Sequence, residues 1–285
     1  MSILVTGATG GFARFFIPKL EEHFSEEIVA TGRAESAGFA TYVRCDLADP
    51  AEVRRLVISL RPRLIFHLAG SFSGDFNTDL AINALSSKLI FESLLFERIP
   101  ARTVLIGSAA EYGMISPVSN PITESQPLNP VSVYGITKAI QTQLAKYYAA
   151  AHNVDTVIAR LFNLIGPGLS ERLFVGRVEM LINKYKLGEI GHLELGNLNS
   201  LRDYIDFDDA FDQILLIAER GKTGEVYNVG SGKATSMRDL LYKLISNANV
   251  PGETVVEAGT ANTGPSRIDV PVIFADLTKT LSLNT

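Results

Sequence analysis

Apolar runs recur through the first part of the chain: "SILVT" (2–6), "EIVAT" (27–31), "TYVRC" (41–45), "RLIFHLA" (63–69) and "RTVLIGS" (102–108). They are nearly continuous rather than alternating, the pattern of strands buried on both faces of a sheet. Between them, apolar residues return at helical spacing over Phe12 to Phe24, over "PAEVRRLVISL" (50–60) and from Leu80 to Glu97. Strands that alternate with helices predict parallel βαβ units with right-handed crossovers. The expected class is therefore α/β, with a doubly wound parallel sheet.

After about residue 160 the texture changes. "FNLIGPGLSERLF" carries Gly166, Pro167 and Gly168 and predicts a loop. Helical patterns follow over 176–187, 208–220 and 236–248, with short strands at "HLEL" (192–195) and "EVYNV" (225–229). This predicts a main domain over 1–160, with segments returning to it from about 197–222, and a smaller C-terminal lobe over 161–285. No Pro/Ser-rich linker, internal repeat or low-complexity tract divides the two.

With 285 residues, 46% of them hydrophobic, the chain can bury a sizeable core. A net charge of −5 without any clustered basic run argues against a nucleic-acid partner. A single cysteine, Cys45, leaves no disulfide framework and no thiolate zinc cluster. His23, His67, His152 and His192 are too scattered for metal-ligand spacing and read as ordinary core or surface residues, so no metal is expected. No apolar run approaches the roughly 18–20 residues that span a bilayer. The chain enters "SILVTG" without a charged leader, so a cytoplasmic protein without a membrane partner is expected.

Candidate chemistry begins at "VTGATGGFA" (5–13), where the first strand hands over to the first helix. Gly7 permits a tight turn and Gly10 a close backbone approach to a pyrophosphate, which the helix N-terminus then attracts. Ala13 stands where a third glycine is usual. The second strand ends in "ATGRAES", so Arg33 occupies the place of the acid that holds the ribose of NAD, with Glu35 two residues on. That favours NADP(H), with NAD(H) as the alternative. Asp46 in "CDLADP" is expected either to accept from the adenine amino group or to cap the next helix.

"SVYGITKAIQ" (132–141) places Tyr134 and Lys138 four apart, on one helix face. A lysine so placed stabilises a tyrosinate, and the tyrosine exchanges a proton with a substrate oxygen. With the glycine turn upstream and a strand ending at Ser108, the chain resembles the extended short-chain dehydrogenases/reductases of the nucleotide-sugar epimerase/dehydratase group. The likeness runs from "VTGATG" through "HLAG", "GSAAEYG", "YGITK" and "RLFNLIGPG" to "GNLNSLRDYIDFDDA" and "GEVYNVGSG". It is strongest toward the reductases of GDP-linked 4-keto-6-deoxymannose.

This resemblance implies a Rossmann-like main domain, a substrate-binding second lobe and a catalytic set of Ser108, Tyr134 and Lys138. For the cofactor it implies Gly7, Thr9, Gly10, Gly11, Phe12, Arg33, Asp46, Leu47, Leu68, Ala69, Gly70, Asn83 and Leu161, joined by Tyr134 and Lys138. For the nucleotide sugar it implies Ser108, Asn163, Phe174, Val175, Arg202 and Arg267, with Arg202 as a diphosphate clamp. Four of these have a plainer alternative. Asn163 would stabilise its loop, Phe174 belong to the core, Arg202 pair with Asp203, and Asn83 be a polar helix residue. A homodimer is also implied.

Sugar 4,6-dehydratases of this group carry acids just after the catalytic Ser or Thr, to remove water across C5 and C6. Ala109 and Ala110 stand there and can do neither job. Glu111 is one position further, and on an extended backbone it points elsewhere. The expected reaction is therefore NADPH-dependent reduction at C4 of a 4-keto-6-deoxyhexose, which the resemblance implies is GDP-linked. The rivals are a 4-epimerase with retained NAD and an idle NADP(H)-binding relative. Three features depart from the reductase pattern. The loop from Gly70 to Asn83 is short, Arg267 in "PSRIDVP" is offset by one, and the chain stops at "LSLNT".

Overall fold

The computed structural model describes residues 2–257 and 269–284. Strands β1 (Ile3–Thr6), β2 (Ile28–Gly32), β3 (Tyr42–Arg44), β4 (Leu64–His67), β5 (Arg102–Ser108) and β6 (Thr156–Leu161) enter one sheet. The next strands along the chain, β7 (Asn163–Ile165), β8 (Leu193–Leu195), β9 (Leu201–Arg202) and β10 (Tyr204–Asp206), lie outside it. Then β11 (Val226–Val229) rejoins the sheet beside β6. Among the described residues this sheet has seven strands, all parallel, in the order β11-β6-β5-β4-β1-β2-β3. The winding reverses between β1 and β4, so a crevice opens there at the carboxyl edge.

Every residue of β1, β2 and β4 is buried, which is why their sequence does not alternate. One face is covered by α1 (Gly11–His23) and, from the second half of the chain, by a helix at Phe207–Arg220. Their interface is aromatic, with Phe16 packed edge-on against Phe66 and Phe211, each at 5.0 Å between ring centroids. The other face is covered by α2 (Pro50–Leu60), a helical stretch at 76–96 and the long helix at 133–152.

Helix α2 starts and stops where its pattern places it. Asp49 accepts from the N–H groups of Ala51 and Glu52, Pro50 sits in the first turn, and Arg61 turns left-handed at φ 43°. The stretch expected as one helix from Leu80 starts earlier. It runs as α3 (Phe76–Leu80), a π-turn over Ala81–Leu85 and α4 (Ser86–Phe96). Asp75 caps it by accepting from Thr78 N–H.

The long helix is α5 (Val133–His152), followed by α6 (Phe174–Lys186), α7 (Phe207–Arg220) and α8 (Met237–Asn247). Apart from the large sheet, α6 and α8 enclose a small core of Val178, Leu181, Ile182, Leu193, Leu195, Leu241 and Ile245. The periodicity places α6, α7 and α8 to within two residues at each end. The strand β6 and the position of β11 in the large sheet are what the pattern reading leaves out. No helix among the described residues is long and apolar enough to cross a membrane.

Candidate active site

All the strand ends that matter share one edge. Parallel register sets Thr6 beside both Thr31 and His67, and Ser108 beside Leu161. The turn after β1, the Leu68–Gly70 segment, Ser108 and the start of the Asn163 loop therefore line the same crevice.

Gly7 makes the turn after β1 with φ +74°, and a Cβ there would stand 2.7 Å from the Ala69 backbone. Only glycine fits. Gly10 then caps α1 without any side-chain hydrogen bond. An open helix N-terminus beside backbone-only walls suits the pyrophosphate of a dinucleotide. The Phe12 ring, by contrast, packs on Phe16 and Phe207 at 5.4 and 5.1 Å, so what it offers a ligand is backbone. Leu47 likewise belongs to the core under α2.

Two residues further along the edge have distinct surroundings. Arg33 is exposed and has no hydrogen bond or ion pair among the described residues. Glu35 is held by Arg44 at 3.2 Å. Asp46 caps its own turn, with Oδ1 accepting from Ala48 N–H at 3.0 Å.

The Leu68–Gly70 segment is set from beneath. Ala69 N–H donates to Thr6 Oγ1 at 3.2 Å, and Thr6 lies 2.8 Å from His67 Nδ1. His67 Nε2 meets Ser86 Oγ at 3.0 Å, and Ser86 donates onward to the Ile82 carbonyl at 2.6 Å. This chain of donors leaves His67 neutral with its proton on Nε2. Burial, with Lys138 adding repulsion, pushes its pKa from 6.5 down to about 3. The unfolded chain binds a proton here below pH 6.5 that the folded protein refuses. His67 therefore costs no stability above that pH, and stability falls as pH drops toward 3, by about 1.4 kcal/mol per pH unit. Urea unfolding at pH 7 and pH 5 is expected to show wild type losing about 2 kcal/mol more than His67→Gln over that interval. Equal losses would show that His67 does not titrate in this way.

Ser108, Tyr134 and Lys138 are gathered at the end of β5. Ser132 caps α5 by accepting from Gly135 N–H at 3.0 Å, which fixes where Tyr134 and Lys138 fall. A Cβ at position 135 would lie 2.4 Å from the Ala110 carbonyl, so glycine lets α5 approach the Ser108 turn closely. Burial pushes the Tyr134 phenol up to about 12, against a hydrogen bond with Ser108 that lowers it. Tyr134 thus keeps its proton at neutral pH. Lys138 is buried, donating to the Ile106 carbonyl at 2.6 Å and to Gln141 Oε1 at 2.9 Å. Burial pushes its ammonium down to about 8, with Glu111 opposing. Two donors are spent and one is left for a ligand hydroxyl.

Beyond Ser108 the chain does not stay extended. Ala109–Glu111 form a 3₁₀ turn, Ala109 joins a core cluster with Tyr112 and Phe162, and Glu111 turns inward to Arg160. No acid follows Ser108 into the crevice.

The structure also brings in residues that spacing did not single out. Phe72 sets its ring edge-on to Tyr134, with centroids 5.1 Å apart. Its loop is gathered by the buried Asp79, which accepts from Ser71 Oγ, Ser73 Oγ, Ser73 N–H and Gly74 N–H. Arg172 reaches across from the second lobe to donate to the Phe72 carbonyl. Asn83 is spent within this frame, bonded to both backbone groups of Ser71 and to Thr137. Gln141 was legible, because it lies three positions after Lys138 on the same face.

In the second lobe the picture is mixed. Asn163 donates through Nδ2 to the Asp203 carbonyl at 2.9 Å, and its Oδ1 has no partner among the described residues. Phe174 is half-buried against Tyr204, and Val175 is buried in the same cluster, leaving its side chain no surface for a substrate. Arg202 pairs with Asp269 at 2.8 Å, not with Asp203. Successive strand residues face opposite ways. Asp203 therefore points inward, where it accepts from Ser231 and from the N–H groups of Gly232 and Ala275. Arg267 lies outside the described residues.

Residues 3–230 match the model of the NAD dependent epimerase/dehydratase family. The chain belongs to that family. It is 30% identical over 280 residues to dTDP-6-deoxy-L-talose 4-dehydrogenase (NAD(P)(+)) of Kitasatospora kifunensis, covering 95% of this chain and 87% of that one. It is 29% identical over 219 residues to GDP-6-deoxy-D-mannose reductase of Pseudomonas aeruginosa, covering 74% and 71%. The fold matches the structure of RMD from Pseudomonas aeruginosa complexed with NADPH at a TM-score of 0.84. That match has 23% identity and covers 99% of this chain and 91% of that one. The first relative is named for NAD(P)(+) and a dTDP-linked sugar, the second for a GDP-linked sugar, and the structural neighbour is complexed with NADPH. Among the described residues, no group of three or more His, Cys, Asp or Glu is placed to hold a metal ion.

Proposed function

We propose that the chain is an NADPH-dependent 4-ketoreductase of a nucleotide-linked 4-keto-6-deoxyhexose, with the main domain holding the cofactor and the second lobe the sugar nucleotide. The observation that carries this reading is the edge of β5. A protonated Tyr134 stands beside Ser108 and Lys138, and the next two positions, Ala109 and Ala110, hold no acid or base. That set can protonate a nascent alkoxide and cannot assist elimination of water. The two relatives named for 4-dehydrogenase and reductase activity on 6-deoxyhexoses support it.

The hydride for C4 would come from a reduced nicotinamide held in this crevice. Tyr134 gives its proton to the C4 oxygen, and Ser108 hydrogen-bonds that oxygen. The Ser108 Oγ accepts from Ala110 N–H at 3.2 Å and shares a hydrogen bond with Tyr134, so its proton turns from Tyr134 to the ketone oxygen when substrate binds. Lys138 uses its remaining N–H on the ribose. Leu68, Ala69, Gly70, Thr9, Gly10, Gly11 and Leu161 form the cofactor wall, and Asn163 and Arg202 reach the sugar nucleotide. For Arg202 to clamp a diphosphate, Asp269 must yield or share it.

The test is a panel of freshly generated 4-keto-6-deoxyhexoses carrying GDP, dTDP, CDP or UDP, followed by loss of reduced-nicotinamide absorbance with NADPH or NADH. Stoichiometric oxidation of NADPH is expected, while intact sugar nucleotides with oxidised cofactor yield no ketone. If no ketone in the panel oxidises either cofactor, the reductase reading falls. Interconversion of 4-epimers without net cofactor turnover would put an epimerase in its place. "GNLNSLRDY" and "LFVGR" favour GDP as the nucleotide. The second reading is dTDP, which the likeness to the talose dehydrogenase over 95% of the chain favours. Competition by free GDP and dTDP decides between them.

The cofactor preference rests on Arg33, an unpaired exposed guanidinium at the end of β2. A forked cation there suits the 2′-phosphate of NADP. Arg33→Ala is expected to weaken NADPH about ten- to hundredfold and leave NADH unchanged. Equal loss of both, measured by fluorescence titration, would remove Arg33 as the selector. A homodimer through α4 and α5 is part of the same proposal. These helices expose Leu95, Phe96, Ile136 and Tyr147.

A further inference from the structure

Beneath the Ser108 turn lies a charge that the proposed reaction does not use. Glu111 is 0% exposed, and its partner Arg160 is 2% exposed. Glu111 Oε1 accepts from the Ser108 main-chain N–H at 2.7 Å. Its Oε2 accepts from Thr142 Oγ1 at 2.8 Å and from Arg160 Nη2 and Nε at 2.8 and 3.1 Å. The Arg160 guanidinium also lies over the Tyr112 ring at 4.6 Å, and its Nη1 has no hydrogen-bond partner among the described residues.

For stability alone this arrangement is a poor choice. A buried ion pair can be replaced by apolar side chains of similar volume at little or no loss, often with a gain. What apolar residues cannot do is accept the Ser108 N–H. That bond is half of a reciprocal pair, since Ser108 Oγ accepts from Ala110 N–H while Glu111 reaches back to Ser108 N–H. Together they close the turn on both sides of the serine, one residue beyond the β5 ladder. They also occupy one Ser108 lone pair and so hold the position of its Oγ. Glu111 is fixed in turn from two other elements, through Thr142 on α5 and Arg160 on β6. The same α5 carries Tyr134 and Lys138.

We infer that Glu111 is a positioning residue for proton transfer: its carboxylate, anchored by Arg160 and Thr142, pins the main chain of Ser108 and thereby aims the Ser108 hydroxyl at the substrate oxygen. The inference rests on the proposed catalytic role of Ser108. It adds a requirement that this role does not contain, namely a buried anion behind the serine, registered to the helix that bears the proton donor.

The experiment compares Ser108→Ala, Glu111→Gln and the double variant Glu111→Leu with Arg160→Met. NADPH is mixed with GDP- and dTDP-linked 4-keto-6-deoxyhexoses, and kcat, KM for NADPH and Tm are measured for each. Glu111→Gln has one oxygen for two sets of donors; with that oxygen on Arg160 and Thr142, its N–H₂ faces the Ser108 N–H and breaks the pin, so both Tm and kcat are expected to fall. The double variant removes both charges. Its Tm is expected to recover to near wild type, while kcat stays at least tenfold low and KM for NADPH stays within about twofold. Recovery of kcat together with Tm, in a background where Ser108→Ala is impaired, would overturn the positioning role and leave the reductase reading intact. Full activity of Ser108→Ala would instead remove Ser108 from the mechanism, and this inference with it. If the double variant does not fold, Glu111→Gln decides through its kcat at a temperature below its own Tm. Wild-type kcat there overturns the inference, and a tenfold loss at unchanged KM supports it.

Discussion

Tyr134→Phe is expected to cut turnover by about 10²-fold or more, the scale of a positioned general acid. The substitution removes the hydroxyl proposed to protonate the C4 oxygen and keeps the ring that packs edge-on against Phe72. Folding should therefore be unchanged, and NADPH affinity should stay within about twofold. The phenol is pushed up to about 12, so wild type holds this proton throughout the neutral range. The variant's deficit is accordingly expected to be the same at pH 6 and pH 8. Stopped-flow decay of reduced-nicotinamide absorbance with a 4-keto-6-deoxyhexose measures it. Near-normal rates in the variant would take Tyr134 out of the reaction.

The second large effect concerns architecture. Asp203 is fully buried between β9 and β10, and its carboxylate gathers Ser231 N–H and Oγ, Gly232 N–H and Ala275 N–H at 2.7 to 3.1 Å. These donors come from the turn after β11 and from the segment that follows the short strand at Val272–Ile273. One side chain thus joins the edge of the large sheet to the returning C-terminal segment. Asp203→Ala would orphan three main-chain N–H groups together and is expected to destabilise the fold by roughly 3–5 kcal/mol. Arg202→Ala, one residue away, leaves that network untouched and is expected to stay within about 1 kcal/mol of wild type. Urea unfolding of the two variants gives the comparison. Similar midpoints for both would contradict the role assigned to Asp203.

These two neighbours illustrate the limit of reading residues by adjacency. "LRDY" suggests an Arg–Asp pair. In a strand, however, neighbouring side chains leave on opposite sides, and each finds a distant partner, Asp269 for Arg202 and Ser231 for Asp203. Glu111 follows the same logic. Its position after Ser108 could be counted along the chain, but its inward turn depends on the 3₁₀ geometry and on Arg160, 49 residues later.

The sequence by itself determined the parallel sheet, because strands buried on both faces must be apolar throughout and helices between them must be amphipathic. It also determined Tyr134 and Lys138 as a pair, because a four-residue spacing on a helix is a local fact, and Gly7 as a turn, because only glycine takes that backbone. Tertiary structure alone decided where β11 goes, that Phe72 and Asp79 build the wall beside Tyr134, that Arg172 spans to it, and that Val175 is core. Each of those depends on which strand edge or loop lies alongside. Register, packing and hydrogen-bond partners far apart in the chain fix that choice, and no local periodicity encodes it.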